Sequence, residues 1–345
     1  MSIVSLEQTI ESLYGIQIDS ITNVRSGYTN RNFLIRSCGR TYIARITQEH
    51  RVSHIPFESY ILEFLSHERL GFAIPRKIKA KSERDFVRIG DEDVITLFDF
   101  IPGYQASDLW RHPFHSTGFT EELGSKIGVL HSALSRIQTH TTLHTLENLV
   151  ESYLKKFEQY ENEVSQIEKM LPWQRMFLNN IDMFREEITS YIGYPQPKHK
   201  EVAHTDLRLQ NILINRNRTI VGIIDFDDAV VGYHAYDLAK ILVEVYTNRE
   251  HVIKNVQELV DVRGFAEFIN KYIKKRGIKN EEIIPRTLDL LKLPAIHNLS
   301  IVGRDPNFDE DERLKNMEWN SNIIQLFRDE SNIRWIAEEL KNYEK

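Results

Sequence analysis

The stretch Val202–Ala229, VAHTDLRLQNILINRNRTIVGIIDFDDA, decides how this sequence is interpreted. It places the acids Asp206, Asp225 and Asp227 in a segment that is otherwise rich in isoleucine, leucine and valine. A carboxylate that leaves water must be paired, must bind a metal or must take part in chemistry. The acids of this segment are therefore the first candidates for a functional site.

Two short apolar runs, NILI and TIVGII, lie on either side of the turn sequence NRNR and predict a β-hairpin. In a hairpin the start of the first strand lies beside the end of the second, so we expect Asn211 and Asp225 to come together. Their oxygens suit Mg²⁺, which takes one or two protein ligands besides phosphate and water. Asp206, in the loop that enters the hairpin, is placed to face the same point and to accept or orient a hydroxyl proton.

The composition is that of a globular protein. With 345 residues the chain exceeds what one hydrophobic core usually serves, which predicts two lobes. A formal net charge of -6 argues against a nucleic-acid binder, and a single cysteine, Cys38, excludes an internal disulfide framework. There is no charged leader and no apolar run of about 18 residues, so we expect a cytoplasmic chain without a membrane segment.

The order of the predicted elements separates a β-rich part from a helical part. Residues 3–14 form a predicted helix, and residues 20–100 contain β-prone runs that one helix, PFESYILEFLSHERLG, interrupts. Gly71 is the predicted stop of that helix. Helical periodicity dominates after residue 104, over residues 120–134, 149–171 and 173–193.

The spacing of polar residues around the hairpin resembles a known catalytic core. His204, Asp206 and Asn211 follow the pattern His-x-Asp-x-x-x-x-Asn, and an Ile-Asp-Phe-acid turn comes after the hairpin. This pattern resembles the protein-kinase-like fold, and more closely the aminoglycoside phosphotransferase, choline kinase and type II homoserine kinase superfamily. The resemblance implies an α+β, bilobal protein-kinase-like fold with a small β-rich N-terminal lobe and a larger, mainly helical C-terminal lobe. The implied divisions are a nucleotide-binding lobe over 1–98, a linker over 99–103, and a lobe with the catalytic loop and acceptor site over 104–345.

The resemblance also assigns roles around the hairpin. Asp206 is the implied catalytic residue, and Arg208 either contacts the transferred phosphate or forms a salt bridge within the loop. Asn211 and Asp225 are the implied metal ligands, and Asp227 either helps with a second metal or is braced by a backbone amide. Each of these residues alone would be an ordinary turn or cap residue, but their common spacing favours a functional site.

His204 and Asp237 are implied to hold the catalytic loop rather than to react. Asp237 stands in the segment YDLAKIL, which resembles the helix start that braces this loop in the superfamily. We therefore expect a contact between Asp237 and the loop that contains His204.

The sequence before residue 104 contains the implied nucleotide contacts. RSGYTNRNFLI resembles the loop that covers the phosphates, and TYIARI resembles the strand that carries a phosphate-binding base, which is often lysine. Alternation places Ile43 and Arg45 on one face of that strand, and Glu58 is the implied partner of Arg45. The alternative is an arginine and a glutamate that lie separately on the surface. The implied nucleotide-binding set is Ser26, Gly27, Ile43, Arg45, Glu58, Asp99 and Ile101, the last two through backbone atoms.

These features predict an ATP- and Mg²⁺-dependent phosphotransferase that acts on a hydroxyl group of a small molecule, such as an aminoglycoside-like antibiotic, an amino alcohol or a homoserine-like metabolite. Neither Asp-Phe-Gly nor Ala-Pro-Glu is present, and helical sequence resumes soon after Asp225, which disfavours a peptide acceptor. An atypical Ser/Thr protein kinase and a noncatalytic nucleotide-binding relative, such as a spore-coat or scaffold protein, are the alternatives. The acceptor, the choice between ATP and GTP, and the oligomeric state stay open.

Overall fold

The computed structural model describes residues 3–24, 30–89, 93–109, 117–138, 145–195, 201–249, 253–303 and 308–343. Contacts within the chain group it into two compact units. The N-terminal unit comprises Met1–Gly103 and Val221–Asp228, and the C-terminal unit comprises Tyr104–Ile220 and Ala229–Lys345.

The N-terminal unit contains an antiparallel sheet and two helices. Its strands are β1 (Ser20–Val24), β2 (Asn30–Ser37), β3 (Arg40–Gln48), β4 (Lys77–Ile78), β5 (Val87–Ile89) and β6 (Asp93–Asp99). Its helices are α1 (Ile3–Tyr14) and α2 (Ile55–Ser66), the second preceded by a 3₁₀ turn at Glu49–His54. The strand order is β1-β2-β3-β6-β4, and β5 also pairs with β6. The register sets Arg45 of β3 opposite Asn32 of β2 and Thr96 of β6.

Alternation along β3 divides its side chains between two environments. Tyr42, Ala44 and Ile46 are buried in the apolar core that the sheet forms with α1. Because neighbouring side chains of a strand point to opposite faces, Ile43 and Arg45 belong to the other face. This separation leaves Arg45 on a face where it can meet polar groups instead of the apolar core.

The C-terminal unit is mainly helical. Its short strands are β7 (Tyr104–Gln105), β8 (Glu201–Ala203), β9 (Ile212–Ile214) and β11 (Val230–Gly232), and β10 (Ile220–Ile223) begins there. Its helices are α3 (Ala106–Leu109), α4 (Thr117–Leu134), α5 (Leu146–Ser165), α6 (Pro172–Ser190), α7 (His234–Val245), α8 (Val256–Leu259), α9 (Val262–Arg276), α10 (Asn280–Asp289), α11 (Lys292–Val302), α12 (Glu310–Arg328) and α13 (Glu330–Asn342). Within the ranges that the structure describes, no helix is both long enough and apolar enough to cross a membrane.

Helix α4 lies close to α9 because two glycines remove side chains from its contact face. A Cβ atom on Gly124 would collide with the carbonyl oxygen of Phe268, and one on Gly128 would lie 2.9 Å from Cβ of Lys275. Helix α9 is followed by Gly277, which has φ 67° and therefore ends the helix in a conformation that other residues rarely adopt. The close approach fixes α4, which carries a histidine that contacts the candidate site.

The hairpin predicted from NILI and TIVGII is confirmed. Strands β9 and β10 are neighbours, and the N–H of Asn215 donates to the carbonyl oxygen of Thr219 at 3.0 Å, which closes the turn. The strand order in this small sheet is β10-β9-β7, and β8 pairs separately with β11 in the antiparallel direction. Strand β8 leads into the loop that contains His204 and Asp206, and β9 follows that loop.

Two predicted helix ends are wrong. The helix predicted over 149–171 ends at Ser165, and α6 begins at Pro172. Proline favours an extended residue before it, and Leu171 has the extended values φ -69° and ψ 157°, so the two helices cannot run together. Helix α2 ends at Ser66 instead of reaching Gly71, whose φ of 72° belongs to the following turn.

Candidate active site

Arg45, Glu58 and Lys77 form a buried charge cluster in the N-terminal unit. The Nη2 atom of Arg45 pairs with Oε2 of Glu58, as the sequence predicts, and Nζ of Lys77 lies 2.9 Å from the same oxygen. The three side chains are 7%, 2% and 6% exposed. Burial and the nearby Arg45 hold the pKa of Lys77 below its usual value, against the opposite effect of Glu58. One buried carboxylate therefore holds two cations, one on β3 and one on β4.

The aromatic ring of Phe98 lies beside this cluster. The guanidinium of Arg45 is 4.8 Å from the ring centroid, and Nζ of Lys77 is 5.7 Å from it. Ile43 is half-buried, and the Asp99 carboxylate accepts a hydrogen bond from Nε of Arg76 at 2.6 Å. The nucleotide contacts of Ile43, Asp99 and Ile101 stay predictions. Ser26 and Gly27, predicted for the phosphate loop, lie outside the described residues.

Asp225 and Asp227 have different surroundings. Asp225 has a positive φ of 71°, its side chain is 36% exposed, and its Oδ1 lies 3.6 Å from Nη1 of Arg45. Asp227 is 10% exposed, and its Oδ2 accepts hydrogen bonds from Asn30 at 2.9 Å and Arg51 at 3.1 Å. Burial raises the pKa of Asp227, but Arg51, Arg45 and Asn30 outweigh burial and hold that pKa well below its usual value. Asp225 is the more accessible carboxylate. Side chains, and not the predicted backbone amide, hold Asp227 in these contacts, and its part in metal binding stays a prediction.

Asp206 is nearly buried in the loop between β8 and a 3₁₀ turn at Leu209–Asn211. Nδ2 of Asn211 donates to its Oδ2 at 2.7 Å and to its backbone carbonyl at 2.9 Å. Nε of Arg208 lies 3.1 Å from Oδ2, and Nζ of Lys240 lies 3.6 Å from Oδ1. Burial raises the pKa of Asp206, but Arg208, Lys240 and Asn211 together outweigh burial and hold this pKa below its usual value. The carboxyl is therefore ionised at neutral pH. Arg208 thus forms the salt bridge within the loop, and its contact with phosphate stays a prediction.

Asp237, at the start of α7, holds the backbone of the loop that contains His204 and Asp206. Its carboxylate accepts the N–H of His204 at 2.8 Å and the N–H of Thr205 at 2.6 Å. Thr205 has a φ of 66°, a conformation that costs free energy and persists only when surrounding contacts fix it. Nε2 of His131, on α4, lies 3.0 Å from the same carboxylate. The expected bracing contact is therefore present and fixes the backbone on which Asp206 lies.

His131 and His234 have the opposite effect to Asp237 on the stability of the fold as pH falls. His131 stacks on His234 with ring centroids 4.0 Å apart, and burial holds the pKa of both rings well below 6.5. Below that value the unfolded chain binds protons that the folded chain refuses, so the two rings reduce stability as pH falls. Burial raises the pKa of Asp237 to about 6, so its protonation stabilises the folded chain as pH falls through that value. This gain offsets the loss that one of the two histidines causes.

The donors in each unit fit Mg²⁺. Among the described residues, no group of three or more His, Cys, Asp or Glu side chains forms a metal site by itself. Mg²⁺ bound to a nucleotide needs only one or two protein oxygens. Asn211 uses Nδ2 for Asp206, so its Oδ1 is the atom that a metal would take, and Asp225 offers a partly exposed carboxylate.

Sequence reasoning missed three cations that contact the candidate site residues: Lys77, Arg51 and Lys240. Lys240 follows Asp237 by one helical turn, so the spacing i, i+3 could have placed both on the same side of α7. The other two contact partners that are distant along the chain, and no local pattern indicates such pairs. Asp228 also pairs with Arg51, at 2.7 Å.

Three solved structures with a similar fold are kinases or phosphotransferases. The amicoumacin kinase hAmiN, in complex with AMP-PNP, Ca²⁺ and Ami, has a TM-score of 0.66 at 17% identity, covering 94% of each chain. The spectinomycin phosphotransferase APH(9)-Ia, in complex with ADP and spectinomycin, has a TM-score of 0.60 at 13% identity, covering 96% of this chain and 99% of that one. A microcompartment-associated aminopropanol kinase has a TM-score of 0.60 at 15% identity, covering 95% and 98%. These similarities confirm the predicted α+β, protein-kinase-like fold.

The sequence itself defines the family. Residues 20–266 match the APH phosphotransferase enzyme family, and the chain belongs to this family. Hydroxylysine kinase from Xenopus laevis is 22% identical in an alignment of length 273 that covers 67% of this chain and 66% of that protein, so the match spans just under two thirds of the relative's length. The predicted superfamily is confirmed, and its members are described as phosphotransferase enzymes.

Proposed function

We propose that this chain transfers the γ-phosphoryl group of Mg-ATP to a hydroxyl group of a small molecule. The observation that carries the proposal is the environment of Asp206, a nearly buried carboxylate with a lowered pKa that Asn211, Arg208 and Lys240 hold in place. An ionised carboxylate on a braced loop suits a group that orients a hydroxyl for attack on phosphorus.

On the nucleotide side, we assign phosphate binding to Arg45 and Lys77. Both side chains are held by Glu58, which fixes their positions before a nucleotide binds. Preorganised cations lower the barrier to phosphoryl transfer because they meet the phosphate charge without reorganising during the reaction. Ser26, Gly27, Ile43, Asp99 and Ile101 complete the proposed nucleotide-binding set.

We assign metal binding to Asn211 and Asp225, while Asn30 and Arg51 hold Asp227. Bound there, Mg²⁺ would neutralise charge on the phosphate oxygens. The assignment draws on the sequence spacing and on the donor atoms that each residue offers. The chain itself orients the acceptor hydroxyl through Asp206 and holds the phosphates through its cations, because a loose transition state needs positioning and charge neutralisation above all.

A small acceptor suits the short connection after Asp225. Strand β11 begins at Val230 and α7 begins at His234, so the chain enters a helix where protein kinases place a long peptide-binding segment. The named relatives act on amicoumacin, spectinomycin, aminopropanol and hydroxylysine. We propose an acceptor of this kind: an aminoglycoside-like antibiotic, an amino alcohol or a hydroxylated amino acid.

A panel of such hydroxyl compounds, incubated with the chain and Mg-ATP, tests the proposal. We expect one compound class to gain a single phosphoryl group, as detected by mass spectrometry. On that acceptor, Asp206→Ala should lower kcat by about 10²–10⁴-fold with ATP affinity nearly intact, because Asp206 acts on the acceptor. Asp182→Asn, a change of a side chain that is 95% exposed, is the matched control and should leave kcat unchanged.

Other outcomes of the panel separate the alternatives. Phosphate transfer to a protein substrate but to no small molecule would support an atypical protein kinase. Nucleotide binding without turnover on any hydroxyl compound would support a noncatalytic relative. Full turnover by Asp206→Ala would remove Asp206 from the proposed role even if the chain is a kinase.

A further inference from the structure

A buried lysine lies directly beside the candidate catalytic carboxylate. Lys240, on α7, is 0% exposed. Its Nζ lies 3.6 Å from Oδ1 of Asp206 and 3.5 Å from Oε1 of Glu244, and it donates a hydrogen bond to Oδ1 of Asn298 at 3.0 Å. An ammonium group without exposure to water is costly unless its charge and its N–H groups are satisfied. The carboxylates of Asp206 and Glu244 compensate the charge of this ammonium, and Asn298 accepts a hydrogen bond from it.

Glu244 and Asn298 are themselves fixed, so Lys240 has little freedom to move. Oε2 of Glu244 pairs with Nη2 of Arg249, and its Oε1 accepts a hydrogen bond from Nδ2 of Asn298 at 2.7 Å. The same Nδ2 lies 3.1 Å from Oδ1 of Asn320, on α12. Side chains from α7, α11 and α12 therefore hold the ammonium in one position.

The two oxygens of Asp206 have different partners. Nδ2 of Asn211 and Nε of Arg208 both contact Oδ2, at 2.7 Å and 3.1 Å. Lys240 faces Oδ1 at 3.6 Å, beyond hydrogen-bond length, so its effect on that oxygen is electrostatic attraction. No hydrogen bond from the described residues to Oδ1 is present, so this oxygen can accept one from an incoming hydroxyl group.

We propose that Lys240 is a positioning residue, which holds the Asp206 carboxylate so that Oδ1 receives the hydroxyl of the acceptor. The inference rests on the proposed function of Asp206 and extends it to a residue that does not touch the reacting atoms. Without the ammonium, the carboxylate loses the attraction that fixes its rotation, and the hydroxyl is presented in the wrong geometry. Misplacement of this kind slows the chemical step without weakening the binding of either substrate.

Lys240→Met tests the inference because methionine keeps most of the volume and removes the charge. We expect kcat to fall by about 10–100-fold while KM for ATP and KM for the acceptor stay within about twofold. Lys271→Met is the matched control: Lys271 pairs with Glu121 at 3.1 Å and is 42% exposed, so kcat should not change. An unchanged kcat in Lys240→Met would overturn the inference.

A double-mutant cycle separates positioning from a general structural role. If Lys240 acts through Asp206, then Lys240→Met should cost nothing further in a chain that already contains Asp206→Ala. An additive loss of kcat in the double variant would overturn the inference. If Lys240→Met alone does not fold, Lys240→Met with Glu244→Gln removes both members of a buried ion pair and should fold; it should still show the lowered kcat.

The cycle also distinguishes this inference from the proposed function. A wild-type chain that phosphorylates nothing in the acceptor panel would end both. If the activity depends on Asp206 but Lys240→Met adds its own loss of kcat in the double variant, the proposed function stands and only the inference about Lys240 is refuted.

Discussion

Asp237→Asn tests whether a single carboxylate holds the catalytic loop. In the folded chain it accepts N–H groups from His204 at 2.8 Å and Thr205 at 2.6 Å, and it lies 3.0 Å from Nε2 of His131. An asparagine amide keeps one acceptor oxygen and turns an NH₂ group towards the remaining donors. Each lost hydrogen bond to a charged acceptor costs about 1.5–3 kcal/mol, so the loss of two lowers the free energy of unfolding by about 3–6 kcal/mol. That is a large part of a total of about 5–15 kcal/mol.

Urea unfolding, followed by tryptophan fluorescence and by circular dichroism, measures this loss. Two probes are needed because a chain with two compact units can unfold in more than one step. Asp182→Asn on α6, at a side chain that is 95% exposed, is the control and should change stability by less than about 0.5 kcal/mol. An Asp237→Asn chain that unfolds at the same urea concentration as the wild-type chain would refute the reasoning.

Three further predictions concern stability. Glu58→Gln leaves two buried cations without their shared carboxylate, so urea unfolding should show a loss of about 3 kcal/mol; a loss below 1 kcal/mol would contradict the buried cluster. Gly124→Ala should lower the Tm because its Cβ collides with α9, whereas Gly118→Ala meets nothing within 4 Å and should not; equal Tm values would contradict the close approach. As pH falls from 6 to 5, the free energy of unfolding should fall by a net of about 1.4 kcal/mol per pH unit. His131 and His234 cause this loss, and the protonation of Asp237 offsets part of it. Replacing both rings by glutamine leaves the opposite contribution of Asp237, so the free energy of unfolding should no longer fall between pH 6 and 5; an unchanged slope would contradict the reasoning.

The parts of the fold that local patterns determine could be predicted from the sequence. The hairpin is present because two apolar runs and a polar turn leave few other arrangements. The pair between Arg45 and Glu58 is present because alternation on β3 sends the arginine to the face opposite the apolar core. The predicted helix over 149–171 was wrong at its end because the apolar period continues past Ser165 although the backbone turns before Pro172.

The parts of the site that depend on distant contacts could not be predicted. Lys77 reaches Glu58 from β4, and Arg51 reaches Asp227 from a 3₁₀ turn, so no spacing in the sequence links the partners. Lys240 has the appearance of a surface lysine in a helix, since lysine is rarely fully buried. Only the folded chain places it between two carboxylates, which is why its contact with Asp206 was missed.

The most direct test uses ATP that is isotopically labelled in its γ-phosphate and measures which product receives the label. The wild-type chain, with Mg²⁺ and the acceptor panel, is predicted to move the label into a small organic product, and Asp206→Asn is predicted to leave it on ATP. Label that appears only in inorganic phosphate or only in protein, with the wild-type chain folded and nucleotide-bound, would contradict the assignment of a small-molecule phosphotransferase.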